Sequence, residues 1–378
     1  MKITDVTLYK IILPTDTWLL LSLQTDEGIT GWGEVSSCRD EVALQQVIEE
    51  ARDYLLGKDP LSIQSCTKPL HTWSFPLRQN DRAFSFAWSG IDQALWDVMA
   101  KHYKVPLYQL YGAEGKEGVS LYANLNKALR QDRRTDKLVE NATKAKEAGF
   151  AILKCTPFDE ITPENTEVSY NKSFERLDAI ASVLPFERIS IDCHQRFQLF
   201  SLAGMLCWLI EHHGNPFWLE DPVGLEDYDL LYEIVGKYPQ LRLIAGESAC
   251  TISQLSKVMC NKFFNAVMPD VKCIGGPSVV KSLIPVAEGL GKKVSLHNPS
   301  GIIATAHSAH LMAICRNPLP LEFPFGSVEN RSLMSFPHER IENGVYKFTD
   351  GYGIGLELTE DTMKQFALRS SHGKWVKY

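Results

Sequence analysis

The sequence predicts an α/β protein, in which a parallel barrel of alternating strands and helices follows a smaller α+β unit. Two observations carry that prediction. Three short apolar runs, SIDCH at 190–194, FWLEDP at 217–222 and IAGES at 244–248, each lead into an acid: Asp192, Glu220 or Glu247. These acids lie 28 residues apart (192 to 220) and 27 apart (220 to 247), and the intervening segments, such as LFSLAGMLCWLIEHH at 199–213, have helical character. Strand, helix, strand with an acid at each strand's C-terminal end is the pattern of a parallel barrel that does its chemistry at that face. The second observation is that strand-like apolar runs recur from residue 119 onward until there are eight, a number that closes a barrel.

In chain order, KITDVTLYKII (2–12), WLLLSLQT (18–25) and ITGWGEV (29–35) predict three strands, joined by the loop PTDT (14–17) and the turn DEG (26–28). EVALQQVIEEARDYLL (41–56) predicts a helix, and 66–83 is irregular and rich in Pro, Trp and Arg. FSFAWSGIDQALWDVMAKHY (84–103) predicts a long helix, because Ala87, Ile91, Leu95, Val98 and Met99 recur at helical spacing. Trp88 and Trp96 on that helix are expected in the core. The eight barrel strands are expected in VSLYANLN (119–126), AILK (151–154), ISID (189–192), FWLE (217–220), LRLIAGE (241–247), NAVMPD (265–270), KKVSLH (292–297) and LPLEFP (319–324). The chain thus divides into an N-terminal α+β capping unit, 1–118, and a barrel, 119–329. The weakly patterned tail, 330–378, is expected to fold back onto the capping unit.

Composition narrows the function. The 378 residues are 44% hydrophobic and 22% charged, as in an ordinary globular protein, and the net charge of −7 gives nucleic-acid binding little electrostatic support. No apolar run reaches the roughly 20 residues that span a bilayer, so no membrane partner is expected. The opening MKITDVTLYK lacks the apolar core of a signal peptide. Nine cysteines, an odd number with no C-x-x-C, argue against a disulfide framework or a zinc site and for a reducing, cytoplasmic compartment.

The acids define the chemistry. Neighbouring parallel strands lie about 4.8 Å apart, so three adjacent strand ends bring three carboxylates within about 10 Å. Unpaired, they would repel and raise one another's pKa. A hard divalent cation removes the conflict, and an all-oxygen set with open positions suits Mg²⁺ better than zinc. An acid at a strand end is also a common helix cap, but three at near-constant spacing favour a metal. His194 lies two residues after Asp192 and should share its strand face, placing an imidazole at the same mouth. Asp270 and His297 end consecutive strands 27 residues apart (270 to 297), which predicts a carboxylate–imidazole dyad acting as a base. Glu322 is expected at the end of the eighth strand, binding substrate or capping a loop. Lys154, at the end of the second, faces a substrate carboxylate or pairs with a metal ligand. Arg196 is a candidate for contact with substrate. His212 and His213 are expected to be solvated at a helix end, and Lys272 carries no assigned role.

Taken together, FWLEDP, IAGE, MPD followed by GG, LHNPSGIIATAHSAH and IDQALWDVMAKHYKVPLYQLYG (91–112) resemble the mandelate racemase group of the enolase superfamily. The resemblance implies a (β/α)₇β barrel with a cap built from both chain termini, and commonly a homo-oligomer. It also implies one Mg²⁺ per subunit on Asp192, Glu220 and Glu247, and a His297–Asp270 base. A histidine or lysine base with a Mg²⁺-stabilised enediolate is a known property of that superfamily, not something the spacing shows. Lys154 matches the first lysine of the family's paired-lysine motif. Thr156 stands where the second, an alternative base, would be, which counts against simple racemisation. Asp192-Cys193-His194 and LEFPFG (321–326) resemble the acid-sugar dehydratases of the D-galactonate type, in which that histidine is the general acid. The implied reaction removes the proton α to a sugar acid's carboxylate and expels the 3-hydroxyl, giving a 2-keto-3-deoxy acid. Cap loops near 14–18 and 67–83, with Trp73, Arg78 and Arg82, are expected to close over the polyol end. The alternatives are a racemase or epimerase using the same enediolate and a barrel without catalysis.

Overall fold

The cap is organised by one strand that serves two cores. The computed structural model describes residues 1–71, 81–114, 117–130, 132–162 and 170–378. Strands β1 (Ile3–Ile12), β2 (Thr17–Thr25) and β3 (Thr30–Glu34) form an antiparallel sheet. Side chains alternate across a strand. Leu19, Leu21 and Leu23 of β2 accordingly enter the cap's own core, while Trp18 and Leu20 enter the core of the barrel. The run WLLLSL, apolar but for Ser22, is therefore buried on both faces. Helix Arg82–His102 packs against this sheet and begins at Asp81, whose carboxylate accepts the Phe84 N–H at 3.0 Å. Gly33 is required there, because a Cβ would sit 2.1 Å from the carbonyl oxygen of Gly90. Trp88 is core, whereas Trp96 is half-buried and donates its indole N–H to Ser278 at 2.8 Å.

Eight parallel strands form the barrel: β4 (Val119–Asn124), β5 (Leu153–Cys155), β6 (Ile189–Asp192), β7 (Trp218–Glu220), β8 (Leu243–Ala245), β9 (Phe264–Val267), β10 (Lys293–Val294) and β11 (Leu321–Pro324). A helix lies in each of the seven connections, which is the (β/α)₇β plan. The ring closes where β11 pairs with β4, and the β10–β11 seam is held by Leu319 N–H on the Val294 carbonyl at 2.9 Å. Alternation again divides the residues. Tyr122, Trp218, Ile244, Ala266 and Met268 belong to one small core cluster, while Leu121, Leu153, Ile191, Leu219 and Leu243 join the large one. Tyr122 and Trp218 meet edge to face at 5.1 Å. The strands are shorter than the apolar runs suggest: β8, β9 and β10 stop before Glu247, Asp270 and His297.

The tail joins both parts. It adds β12 (Ser335–Phe336), β13 (Arg340–Glu342), β14 (Val345–Lys347), β15 (Glu357–Leu358), β16 (Ala367–Ser371) and β17 (Lys374–Lys377). Strand β16 pairs with β1 in the cap, β14 pairs antiparallel with barrel strand β4, and β12 pairs with β15. His213 is not solvated as expected: it is half-buried, stacked on Phe186 and 2.9 Å from Asp178. Among the described residues no helix is long and apolar enough to cross a membrane.

Buried polar groups fasten cap and tail to the barrel. Glu34, fully buried at the end of β3, accepts the N–H groups of Gly301 (2.7 Å) and Ala304 (2.8 Å) at the start of helix Ile302–Met312. Asp92 accepts the N–H and hydroxyl of Ser278 at 2.8 and 2.7 Å, in the first turn of helix Gly276–Gly289. Both acids answer donors that a helix start leaves unpaired. His307 bonds the Trp32 carbonyl, and His310 accepts the Tyr108 N–H while its other nitrogen meets the Ile354 carbonyl. Burial pushes His307 down to about 4 and His310 to about 3. Both stay neutral when folded and gain a proton on unfolding below their ordinary value near 6.5. The unfolded state then binds more protons, so stability is lost as pH falls from about 6.5 towards 4. Urea midpoints measured across that window should fall with pH, and His307→Gln should flatten the slope.

Candidate active site

Two of the three acids are delivered by neighbouring strand ends. Asp192 and Glu220 are the last residues of β6 and β7 and sit side by side in register. Glu220 shares the inward face of Trp218, whose indole N–H reaches its carboxylate at 3.3 Å. Glu247 arrives from two residues beyond β8, through Gly246 at φ +119°, a conformation that L side chains rarely adopt. One carboxylate oxygen from each acid lies within 4.8 Å of the others.

Such a cluster must be balanced. The Lys154 ammonium, fully buried at the centre of β5, lies 2.6 Å from Glu220, 3.1 Å from Asp192 and 3.2 Å from Glu322. Burial alone would lower its pKa, but these carboxylates hold it well above the ordinary lysine value. One ammonium cannot neutralise four acids. Burial, with the neighbouring acids, pushes Glu220 well above the usual carboxylate range even beside Lys154. The repulsion among these carboxylates and the all-oxygen donor set fit a hard divalent cation between Asp192, Glu220 and Glu247.

Two members of the triad each carry an imidazole. His297 Nδ1 is 2.8 Å from Asp270 Oδ2, and its Nε2 is 2.9 Å from Glu247. Burial would lower its pKa, but Glu247, Glu322 and Asp270 together raise it well above the usual value. His194 Nε2 is 2.9 Å from Asp192 Oδ2, and that carboxylate raises its pKa. The reasoning from a shared strand face does not hold for His194, because β6 ends at Asp192. The chain instead turns through positive φ at His194 (49°) and Gln195 (57°), and that turn brings the ring back to Asp192. Gln195 N–H on the Asp221 carbonyl, at 2.7 Å, fixes it.

Other candidates fall into different places. Glu322 is the second residue of β11 rather than its end; it accepts Asn298 N–H at 2.8 Å and is bonded by Asn124 and Lys154. Arg196 is turned towards the loop after β5, where its Nη1 donates to the carbonyls of Asp159 (3.1 Å) and Ile161 (2.9 Å). Thr156 is buried, with its N–H on Asn126 Oδ1 at 2.8 Å. Arg82 reaches the Ser248 carbonyl at 3.2 Å, just past Glu247. Trp73 and Arg78 lie outside the described residues. In the loop at 14–18, Asp16 binds the Lys127 ammonium at 2.8 Å, and Thr15 bonds the Ser327 carbonyl. Sequence reasoning passed over Asn124 and left Lys272 without a role. Lys272 bonds Asp270 at 2.8 Å, and the Asp-x-Lys spacing was its only sequence signal.

Fold and convergent acids define a parallel barrel with a carboxylate cluster at the C-terminal ends of its strands, the face at which such barrels carry their active sites. Residues 11–112 match the model for the mandelate racemase / muconate lactonizing enzyme N-terminal domain, and residues 137–362 match the enolase C-terminal domain-like model. The chain belongs to the mandelate racemase / muconate lactonizing enzyme family of the enolase superfamily. Relatives named D-galactonate dehydratase, from Pectobacterium atrosepticum and Verminephrobacter eiseniae, are each 26% identical. The first alignment covers 96% of this chain and 93% of the relative, the second 95% and 93%. Among solved structures, an enolase superfamily member from Salmonella Typhimurium superposes with a TM-score of 0.84 at 23% identity, covering 98% of this chain and 100% of that one. An enolase of the mandelate racemase subgroup from Agrobacterium tumefaciens gives 0.80 at 24%, covering 98% of each. These structures share the fold.

If the triad holds the cation, Glu247→Gln should weaken Mn²⁺ binding by roughly tenfold or more, read by titration calorimetry. Unchanged affinity would remove Glu247 from the ligand set.

Proposed function

We propose that the protein is a Mg²⁺-dependent dehydratase of a sugar acid. The observation that carries this reading is the pair of imidazoles on two different members of one carboxylate triad, His194 on Asp192 and His297 on Glu247, each at 2.9 Å. Eliminating water needs a base at one carbon and an acid at the next, and two such rings supply both. The names of the relatives favour the same chemistry.

Asp192, Glu220 and Glu247 would hold Mg²⁺, which when bound supplies positive charge to the enediolate as it forms. Lys154 adds a fixed cation for the substrate carboxylate. His297 is oriented by Asp270 through Nδ1, and its Nε2, beside Glu247 at 2.9 Å, would take the α-proton. His194, held towards its protonated form by Asp192, gives a proton to the departing 3-hydroxyl, which leaves as water. The remaining enol takes a proton at C3, loses the proton of its C2 hydroxyl and becomes the 2-keto-3-deoxy acid. Glu322 completes the polar wall beside Lys154 and fixes Asn298, the residue after His297. A hydroxyl at Thr156 cannot serve as a second base near neutral pH, which sets this reading above racemisation.

Incubating the protein with Mg²⁺ and a panel of mono- and diacid sugars should produce an α-keto acid from at least one, with mass spectrometry recording the loss of one water. A product that keeps every hydroxyl would favour epimerisation instead. His297→Asn should slow exchange of the substrate α-proton with solvent deuterium by roughly 10²- to 10⁴-fold. His194→Asn should keep that exchange and lose elimination by a similar factor; full dehydration by this variant would sink the acid assignment alone.

A further inference from the structure

A fully buried lysine is rarely kept unless its charge is answered, and Lys272 is fully buried. Its ammonium bonds Asp270 Oδ2 at 2.8 Å and also the Ser300 hydroxyl, and its own N–H bonds Asp270 Oδ1 at 2.8 Å. The oxygen it takes is the one that His297 Nδ1 occupies, also at 2.8 Å. Both oxygens of Asp270 are therefore committed, one to the backbone and one to two cationic side chains.

The placement matters because the strand ladder has run out here. Strands β9 and β10 pair over only two positions, Lys293 with Ala266 and Val294 with Val267. Beyond them the Ser295 N–H meets the Val267 carbonyl at 3.1 Å, and the His297 N–H meets the Pro269 carbonyl at 3.2 Å. Past His297, Lys272 reaches across from the Asp270 loop to Ser300, three residues after the imidazole. The far side of Ser300 is held as well: its carbonyl accepts Arg331 at 2.6 Å, and the next residue, Gly301, donates to Glu34. The His297 loop is thus fastened outward to the cap and tail, and inward to the Asp270 loop through Lys272.

We infer that Lys272 is a positioning residue for the reaction, the cross-tie that keeps Asp270 and the His297 loop in register so that the imidazole faces the triad. This rests on the dehydratase reading only in taking His297 as the base. The hydrogen bonds of the lysine go to Asp270 and Ser300 and not to the triad. It acts through Asp270 and Ser300, and displacement of a reacting group by about 1 Å costs on the order of 10²-fold in rate.

The test uses Lys272→Met, Ser300→Ala and the double variant of the whole protein, with D-galactonate as probe and Mn²⁺ as reporter of the triad. Lys272→Met should lower α-proton exchange about 10²-fold with KM within about threefold, and Ser300→Ala about tenfold. The double variant should be no worse than Lys272→Met within about twofold, because both remove one tie. Mn²⁺ affinity should not change, and a crystal structure of Lys272→Met should show His297 Nδ1 beyond hydrogen-bonding distance of Asp270. Exchange within twofold of the parent, full additivity of the two losses, or an unmoved His297–Asp270 pair would overturn the proposal. If Lys272→Met does not fold, Ser300→Ala decides by the same measures. If the parent exchanges no proton of D-galactonate, that choice of substrate fails, and the crystal structure alone decides on Lys272.

Discussion

The constraint on which this structure depends is the burial of like charges at the mouth of a barrel. Asp192, Glu220, Glu247 and Glu322 share a space with one ammonium, Lys154. No packing of apolar neighbours relieves that repulsion; only counter-charge does. His194 sits on the first triad member and His297 on the third, while Lys272 answers Asp270. The site is a charge-balance problem, and its three convergent carboxylates, Asp192, Glu220 and Glu247, could hold one more cation.

Much of this was legible in the sequence because period and interval survive folding. Asp192 and Glu220 end their strands, so their pairing follows from adjacency alone. Glu247 follows Glu220 by 27 residues and His297 follows Asp270 by 27, although Glu247, Asp270 and His297 lie two or three residues past their strands and the step from Glu247 to Asp270 is only 23. What could not be read is what the chain does after a strand ends. The alternation rule gave His194 the expected neighbour for the wrong reason: a left-handed turn brings the ring home. Arg196 looked available because nothing local shows that the carbonyls of Asp159 and Ile161 claim it. Lys272 and Asn124 stayed without a role because their partners, Ser300 and Glu322, are distant in sequence.

The cap does more than roof the barrel. Glu34 and Asp92 meet the starts of the two helices that follow β10 and β9, the strands whose loops carry His297 and Asp270. Arg331, from the tail, bonds Glu339, Ser300 and Thr305, and its guanidinium lies 5.5 Å from the centre of the Trp18 ring. Three stretches far apart along the chain therefore converge on the loop that carries the imidazole. Glu34 and Asp92 act at helix starts, where backbone N–H groups otherwise lack acceptors.

Strand β2 carries a consequence of its own. Its odd-numbered leucines and its even-numbered Trp18 and Leu20 belong to two different interiors, so no seam exists along which the N-terminal module could be lifted off intact. A chimaera that borrows this module from a relative inherits a mismatched underside unless the residues beneath Trp18, Gly301 among them, are exchanged with it. Substrate range in such a protein is therefore more readily altered by redrawing loops than by trading modules.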